Sequence, residues 1–374
     1  MFALIFFSLL GLTYGYTGWR LVPYLPAPWN LCAILCLMLL LLSPLLLFQL
    51  RSRPKLTAVG DQITWVTYTA MGFFVVSTSL LLLRDAAGLI IDLFSPLDPG
   101  ATATADLLIF ALAIAVSGWG FFQARRIPAV VEVDVPIADL PPAMSGLRIV
   151  QFSDLHVGPT IKGPFVRKVV DRITHLRADM IVFTGDLADG ATEQLGLDVA
   201  PLAELDAPLG VYFVTGNHEY YSGVDAWTDR ARDLGFDALI NEGRLLTYQD
   251  GTIGLAGVTD YGADAIAPGH TSDPSKALAD VDEADLRILL AHQPRTIKSA
   301  QRAGCHLQLS GHTHGGQFIP WNFVIPLQQP FVAGLHRYLD CWIYVHRGTG
   351  YWGPPLRLGA PSEIAVLVIK RAAA

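Results

Sequence analysis

Residues 147–156 read LRIVQFSDLH, in which six residues typical of a buried β-strand are followed at once by Ser153, Asp154, Leu155 and His156. The arrangement recurs downstream, where MIVF at 180–183 leads into TGDLAD and VYFV at 211–214 leads into TGNHE. Short apolar runs rich in β-branched residues and bounded by turn residues predict strands. Each of these strands is therefore expected to end beside a carboxylate, an amide or an imidazole.

The segments around these strands predict an alternating α/β domain. Apolar residues at 165, 166, 169, 170, 173 and 176 have the spacing of an amphipathic helix, and further helices are predicted near 193–205 and 224–234. Additional strands are predicted at 252–258, 287–290, 342–345 and 364–369. The strand at 287–290 leads into AHQP, and a later one ends in SGHTHGG at 310–316. Alternating strands and helices favour an α/β fold with central sheets.

Five strand ends thus offer groups that bind metals. Loops beyond the carboxyl ends of strands are where α/β folds place their sites. Asp154 and His156 are two residues apart, as are His312 and His314, so in an extended segment each pair would share a face. Carboxylate oxygen combined with imidazole nitrogen suits transition metals better than calcium. Each pattern alone also occurs as a surface pair or a turn, but all five in this order favour a metal site.

The five blocks resemble the calcineurin-like metallophosphoesterase superfamily, and the apolar segments ahead of them resemble its transmembrane, YkuE-like branch. The matching patterns are Asp-x-His, Gly-Asp-x-x-Asp, Gly-Asn-His-Glu, a lone His and Gly-His-x-His, spanning residues 154–314. The resemblance implies a four-layer αββα sandwich with two mixed sheets. It also implies two divalent transition-metal ions, Mn²⁺ first, with Fe, Zn, Co or Ni as alternatives.

The resemblance further implies a role for each matching residue. One ion would be held by Asp154, His156, Asp186 and His314, and the other by Asp186, Asn217, His292 and His312, with Asp186 bridging. Asp189 would orient ligands without binding metal. His218 would be catalytic, stabilising the transition state or protonating the leaving oxygen. Arg347 follows a strand and is interpreted either as structural or as a second cationic group near the phosphate.

The first third of the chain has a different composition. Of 26 basic and 33 acidic residues, residues 1–124 hold only five of each, and all ten histidines lie beyond them. Long charge-free runs predict four membrane spans, near 1–19, 31–50, 62–83 and 107–124. We therefore expect a transmembrane region at 1–124, a linker with a first strand at 125–146, and a metallophosphoesterase domain at 147–374. The few ionisable groups in the spans, with Asp106 at an edge, favour an anchor over a transporter.

The distribution of basic residues predicts how the chain lies in the membrane. Arg51, Arg53, Lys55, Arg125 and Arg126 would lie on one side, against Arg20 and Arg84 on the other. The side richer in basic residues is normally cytoplasmic, so we expect a multi-pass cell-membrane protein with a cytoplasmic catalytic domain. A purely soluble protein and a disulfide-stapled secreted domain are excluded. The acidic soluble part, which carries the whole net charge of −7, also makes nucleic acid an unexpected partner.

Together these features predict a membrane-anchored phosphoesterase that hydrolyses a phosphodiester or pyrophosphate bond. Membrane lipid and a lipid-linked phosphoester are the expected partners, and the resemblance suggests UDP-2,3-diacylglucosamine, an intermediate of lipid A synthesis. A general phosphodiesterase or phosphomonoesterase is one alternative, and a non-catalytic membrane scaffold on a phosphatase fold is another. The apolar stretch at 321–336 is interpreted either as core packing or as a surface that touches the membrane or an acyl chain.

Overall fold

The computed structural model describes residues 2–51, 57–94 and 99–372. The chain divides into two compact units. One comprises Met1–Arg125 together with Gly353–Leu356, and the other Arg126–Trp352 together with Arg357–Ala374.

The first unit contains four long helices. They are α1 (Phe2–Leu21), α2 (Trp29–Arg51), α3 (Thr57–Asp92) and α4 (Pro99–Arg125). Within the described residues, three segments are long and apolar enough to cross a membrane: Trp29–Leu47, Ala58–Asp92 and Gly100–Arg125. They correspond to the second, third and fourth predicted spans.

The first predicted span, 1–19, forms the helix α1, which is not among the three segments found within the described residues. Its first half is apolar, whereas its second half carries polar residues and ends at Arg20 and Leu21. Four spans were predicted from charge-free length, and the part of the chain that the structure describes contains three candidates.

Ionisable side chains of α1, α3 and α4 form a cluster around Asp106. The sequence places Asp106 at the edge of a span and does not predict this cluster. The buried Asp106 carboxylate accepts a hydrogen bond of 2.9 Å from the Tyr24 hydroxyl and lies 3.2 Å from Nε of Arg84. Arg20 lies 3.7 Å from the same carboxylate and also pairs with Asp85. Opposite charges from α1, α3 and α4 thus compensate one another, which is how charged groups are tolerated near a membrane.

The second unit is built on twelve strands in two six-stranded sheets. The strands are β1 (Ala129–Ile137), β2 (Arg148–Phe152), β3 (Met180–Phe183), β4 (Val211–Phe213), β5 (Asp237–Ala238), β6 (Glu242–Tyr248), β7 (Gly251–Gly257), β8 (Leu286–Leu290), β9 (Leu307–Ser310), β10 (Gly334–Tyr338), β11 (Cys341–Val345) and β12 (Glu363–Arg371). The first sheet has the order β1-β12-β2-β3-β4-β5, and the second has the order β10-β11-β9-β8-β7-β6.

Both sheets are mixed, as the expected fold requires. In the first sheet, β2, β3, β4 and β5 are parallel, whereas β12 runs antiparallel to β2 and parallel to β1. In the second sheet, β7, β8, β9 and β11 are parallel, and the outer strands β6 and β10 are antiparallel to their neighbours. The carboxyl ends of β2, β3 and β4 therefore share one edge, as do those of β8 and β9.

The two sheets face each other across one apolar core. Alternate residues of each sheet, such as Ile149 and Val182 in the first and Leu255 and Leu309 in the second, belong to the same buried cluster. The other face of the second sheet carries a separate cluster that includes residues of two short helices. This alternation of buried side chains is what a sheet-on-sheet sandwich requires.

Seven helices connect the strands of this unit. They are α5 (Gly163–Thr174), α6 (Thr192–Leu195), α7 (Asn217–Ser222), α8 (Val224–Asp233), α9 (Pro274–Ala279), α10 (Ile297–Arg302) and α11 (Trp321–Val324). The helix predicted near 193–205 is wrong as a continuous element, because only α6 and a 3-10 turn at Ala200–Glu204 form there. Gly196 and Pro201 interrupt the run, and both residue types disfavour a helix interior.

Candidate metal centre

The predicted ligands lie in tight turns directly after the strands. The amide of Asp154 donates to the carbonyl of Gly185 over 2.9 Å, and that of His156 donates to the carbonyl of Asp186 over 3.2 Å. The loops after β2 and β3 are therefore bonded to each other. Five of the predicted ligands have positive φ angles: Asp154 (54°), His156 (51°), Asp186 (59°), His312 (71°) and His314 (51°).

These φ angles contradict the geometric reason given for the Asp-x-His and His-x-His pairs. Residues two apart share a face only in extended backbone, and left-handed residues are not extended. His312 and His314 in fact point to different groups of side chains, described below. The spacing predicted that His312 and His314 would bind the same ion, and this is wrong. The two histidines lie in different groups, which is also how the assignment implied by the resemblance distributes them.

The first group of potential ligands contains Asp154, His156 and His314. Nε2 of His156 lies 3.0 Å from Nε2 of His314. The same His314 nitrogen lies 3.5 Å from a carboxylate oxygen of Asp154. All three residues are buried. Both oxygens of Asp154 also accept hydrogen bonds from the amide of His312, at 2.9 and 3.2 Å, which fixes the carboxylate.

The second group contains Asp186, His292 and His312, with Asn217 among them. Nε2 of His292 lies 3.2 Å from Oδ2 of Asp186 and 3.2 Å from Oδ1 of Asn217. Nδ1 of His312 lies 3.0 Å from the same Asn217 oxygen. Nδ1 of His292 donates to the carbonyl of Thr184 over 2.7 Å, which leaves Nε2 as an acceptor facing the group.

Asp186 connects the two groups. Its Oδ2 lies 3.2 Å from His292 in the second group and 3.7 Å from Nε2 of His156 in the first. Ligand atoms bound about 2.1 Å from one ion stand roughly 3.0–3.4 Å apart in tetrahedral or octahedral geometry. The separations given above within the two groups, 3.0–3.5 Å, are close to these values, and nitrogen and oxygen atoms are the ones that converge. The residues present therefore fit a pair of divalent ions.

Asp189 and His218 adjoin the first group and form, with its member His156, a third set of side chains close enough to hold a metal ion. One oxygen of Asp189 lies 3.0 Å from Nδ1 of His156 and 2.6 Å from Nδ1 of His218. Asp189 can therefore orient both imidazoles, as the resemblance implied. Nε2 of His218 lies 4.0 Å from Asp186, and its ring contacts that of His156 edge-on at 4.6 Å between centroids.

The electrostatic environment favours different protonation states for these histidines. Burial alone would lower the pKa of His218, but the carboxylates of Asp186 and Asp189 raise it to about 9. Burial, reinforced by the neighbouring His292, lowers the pKa of His312 to about 3, and burial beside His156 holds the pKa of His314 well below its usual value. Neutral imidazoles are the form that binds metal, whereas a charged His218 can donate a proton.

Asn217 and His218 do not lie in extended backbone, in which adjacent side chains would point apart. Both begin the helix α7, and the glycine before them turns the chain so closely that a Cβ on Gly216 would lie 2.2 Å from the Asp186 carboxylate. Adjacent residues on a helix point about 100° apart. Asn217 and His218 therefore still face different directions, for a different reason.

Glu219 is a site residue that the sequence interpretation did not assign. Its buried carboxylate accepts three backbone hydrogen bonds, from Gly216 (2.6 Å), Asp186 (3.0 Å) and Leu187 (2.7 Å). It thereby ties the loops after β3 and β4 together behind the ligands. Its position three residues after the helix N-cap is that of a capping-box glutamate, a signal present in the sequence.

Arg357 is a second unassigned residue beside the centre. Its buried guanidinium donates to the carbonyls of Gly350 (3.0 Å), Arg347 (2.8 Å) and Ala360 (2.9 Å), and Nη2 lies 3.2 Å from Nδ1 of His314. Burial lowers the pKa of Arg357 to about 10. In the sequence, Arg357 stands out only as a single arginine in the proline- and glycine-rich segment at 353–359, which does not indicate a position beside the metal ligands.

Arg347 has the structural role that was one of its two interpretations. Its guanidinium pairs with Glu363 at 2.7 Å, and its amide donates to the same carboxylate at 3.0 Å.

The family model for calcineurin-like phosphoesterase matches residues 147–316, which contain every predicted ligand. A Danio rerio protein described as a transmembrane protein with metallophosphoesterase domain is 39% identical over 71% of this chain and 62% of its own length. The chain thus spans about three fifths of that relative. An uncharacterized metallophosphoesterase of Helicobacter pylori is 37% identical over 69% of this chain and 68% of its own length.

A third relative, the uncharacterized metallophosphoesterase YkuE of Bacillus subtilis, is 32% identical over 68% of this chain and 91% of its own length. The similarity to the bacterial relatives extends over most of their length. The chain therefore belongs to the calcineurin-like metallophosphoesterase family.

Proposed function

We propose that this protein is a membrane-anchored, dinuclear-metal-dependent phosphoesterase that hydrolyses a phosphodiester or pyrophosphate bond. The observation that carries the proposal is the position of the Asp186 carboxylate between two groups of imidazole nitrogens and side-chain oxygens. A shared carboxylate between two ligand groups is what a two-metal phosphoester site needs.

In this proposal, Asp154, His156, Asp186 and His314 hold one ion, and Asp186, Asn217, His292 and His312 hold the other. When bound, such ions polarise phosphoryl oxygens and lower the pKa of water. Asp189 holds the rings of His156 and His218 in place through hydrogen bonds of 3.0 and 2.6 Å. His218 carries a proton at neutral pH and delivers it to the leaving oxygen or stabilises charge on the phosphate.

We propose a membrane amphiphile as the substrate. The chain has three candidate membrane spans, and β1 begins only four residues after the end of α4. A group of large apolar side chains is also exposed on the segment that follows the ligand His314. Its members are Ile319 (44% exposed), Trp321 (43%), Phe323 (69%) and Leu327 (84%). Their exposure supports the membrane or acyl-chain interpretation of this stretch over core packing.

Within that class, a lipid-linked nucleotide sugar such as UDP-2,3-diacylglucosamine is the first candidate. A general phosphodiesterase or phosphomonoesterase is the second, because the relatives are named only as metallophosphoesterases and include animal as well as bacterial proteins. The basic residues near the spans further support a cytoplasmic position for the phosphoesterase domain, for which we keep the bounds 147–374.

A hydrolysis screen tests this proposal. The full chain, purified in detergent and loaded with manganese, would be assayed on an activated aryl phosphodiester, the corresponding monoester and a nucleotide-diphosphate lipid. We expect metal-dependent diester or pyrophosphate cleavage that is lost in Asp154→Asn and retained in Asp198→Asn. Asp198 is a suitable control because its carboxylate likewise accepts a backbone hydrogen bond, from Gly163 at 2.8 Å, but belongs to neither ligand group. Hydrolysis of none of the three by folded, metal-loaded protein would refute the proposal in favour of a non-catalytic scaffold.

A further inference from the structure

Two exposed aromatic side chains flank His218. The ring centroid of Tyr221 lies 5.3 Å from that of His218, and the centroid of Trp352 lies 5.9 Å from it. Both rings meet the imidazole nearly edge-on, at 67° and 73°. Tyr221 is 65% exposed and Trp352 is 54% exposed, so most of each ring is accessible. Large aromatic side chains at this level of exposure contribute little to the core.

Separate elements hold the two rings in place. Tyr221 lies three residues after His218 on α7, and residues at this spacing share one helix face. The backbone of Trp352 makes two hydrogen bonds to the side chain of Gln317. The amide of Trp352 donates to Oε1 of Gln317 over 2.9 Å, and Nε2 of Gln317 donates to the carbonyl of Trp352 over 2.9 Å. Gln317 itself follows the ligand His314 by three residues. The position of Trp352 is therefore set by the turn that carries a metal ligand.

We infer that Tyr221 and Trp352 form a subsite for a leaving group that carries a planar aromatic ring, such as an aryl alcohol or the base of a nucleoside. The inference rests on the proposed function, since it places the subsite beside the residue that would protonate the leaving oxygen. Tyrosine and tryptophan offer large contact areas at low cost in side-chain entropy. Stacking of a base on such a ring contributes about 1–3 kcal/mol, which is roughly 5- to 150-fold in affinity.

Binding of two matched phosphonates tests the subsite without requiring turnover. Phenylphosphonate and cyclohexylphosphonate have the same charge and the same number of ring carbons, but only phenyl is flat. We expect the manganese-loaded full chain to bind phenylphosphonate at least about fivefold more tightly in calorimetry. Trp352→Leu should remove this preference and Trp352→Phe should keep most of it. Tyr261→Leu should leave it unchanged, because the half-exposed ring of Tyr261 lies against the Arg295 guanidinium rather than beside His218.

Equal affinity for the two phosphonates, or a preference that survives in both Trp352→Leu and Tyr221→Leu, would overturn the inference. Tighter binding of cyclohexylphosphonate would instead indicate a site for an aliphatic chain and would overturn it as well. Failure of the proposed function is a separate result, seen as absent turnover of every phosphoester in the hydrolysis screen. The phosphonate preference can be measured whichever result the screen gives.

Discussion

At the scale of single residues, the Asp186 carboxylate faces both ligand groups, so its charge should matter more than that of any other ligand. Asparagine has nearly the same volume but lacks the charge and one acceptor. We expect Asp186→Asn to reduce bound manganese well below two ions per chain and turnover by about a hundredfold or more. Elemental analysis after reconstitution and gel filtration would measure this. Retention of two ions by the variant would refute a bridging role.

His218 should behave differently from the ligands, because it adjoins the centre without completing either group. We expect His218→Asn to lower turnover by roughly a hundred- to a thousandfold with metal content intact, as for loss of a transition-state donor. His314→Asn, the matched ligand variant, should lose metal.

A series of leaving groups separates two roles for His218. If it protonates the leaving oxygen, the loss in His218→Asn should shrink for very acidic leaving groups, because they need no proton. An equal loss across the series would favour electrostatic stabilisation. Loss of metal from His218→Asn would mean that His218 is itself a ligand.

Glu219 stabilises the site through acceptor atoms alone. Its carboxylate receives three backbone N–H groups, and the amide of glutamine would turn an N–H₂ toward at least one of them. We expect Glu219→Gln to lower the free energy of unfolding by about 1–3 kcal/mol, measured by denaturant titration. Glu283→Gln, at an exposed position, is the control and should change stability little. Equal stability of the two variants would contradict this role.

At the scale of elements, the turn after β9 is closely packed against the turn after β2. A Cβ on Gly311 would lie 2.1 Å from Oγ of Ser153 and 2.3 Å from the Asp154 carboxylate. We expect Gly311→Ala to displace that ligand, weakening metal retention and reducing stability by about 1–3 kcal/mol. Gly254→Ala is the matched control. Gly254 lies within β7, away from the ligands, and a Cβ there would be similarly crowded, at 2.7 Å from Val281 and 2.9 Å from Ala284. It should lose stability but keep metal, and equal metal loss in both would refute the local explanation.

The elements also show why some features could be predicted from the sequence and others could not. β2, β3 and β8 were recognisable because their apolar runs and the polar residues after them are local signals. The left-handed turns at Asp154 and His314 could not be recognised, since they depend on hydrogen bonds between loops that are distant in the chain. The contacts of Arg357 likewise join segments up to 43 residues apart. The side chains that gather at the two groups were therefore recognisable in the sequence, but the backbone geometry that brings them together was not.

At the scale of the whole molecule, β1 begins four residues after the end of α4, which is the last candidate membrane span. The orientation of α4 therefore determines on which side of the membrane the unit lies. We expect a green fluorescent protein fused after Ala374 to be fluorescent and an alkaline phosphatase fused there to be inactive, as the basic residues near the spans predict. The opposite pair of results would place the domain outside the cytoplasm and would remove the nucleotide-lipid candidate with it.

The position of β12 has a consequence for biosynthesis. This strand lies inside the first sheet, between β1 and β2, yet it follows all seven proposed ligands in the chain. While a ribosome is still extending the chain toward Glu363, the membrane helices and the ligand loops already exist, but the sheet lacks an interior strand. β1 and β2 can become neighbours of β12 only once residues 363–371 have left the exit tunnel. The first sheet is therefore completed only after α1 to α4 and all the ligand loops have been synthesised.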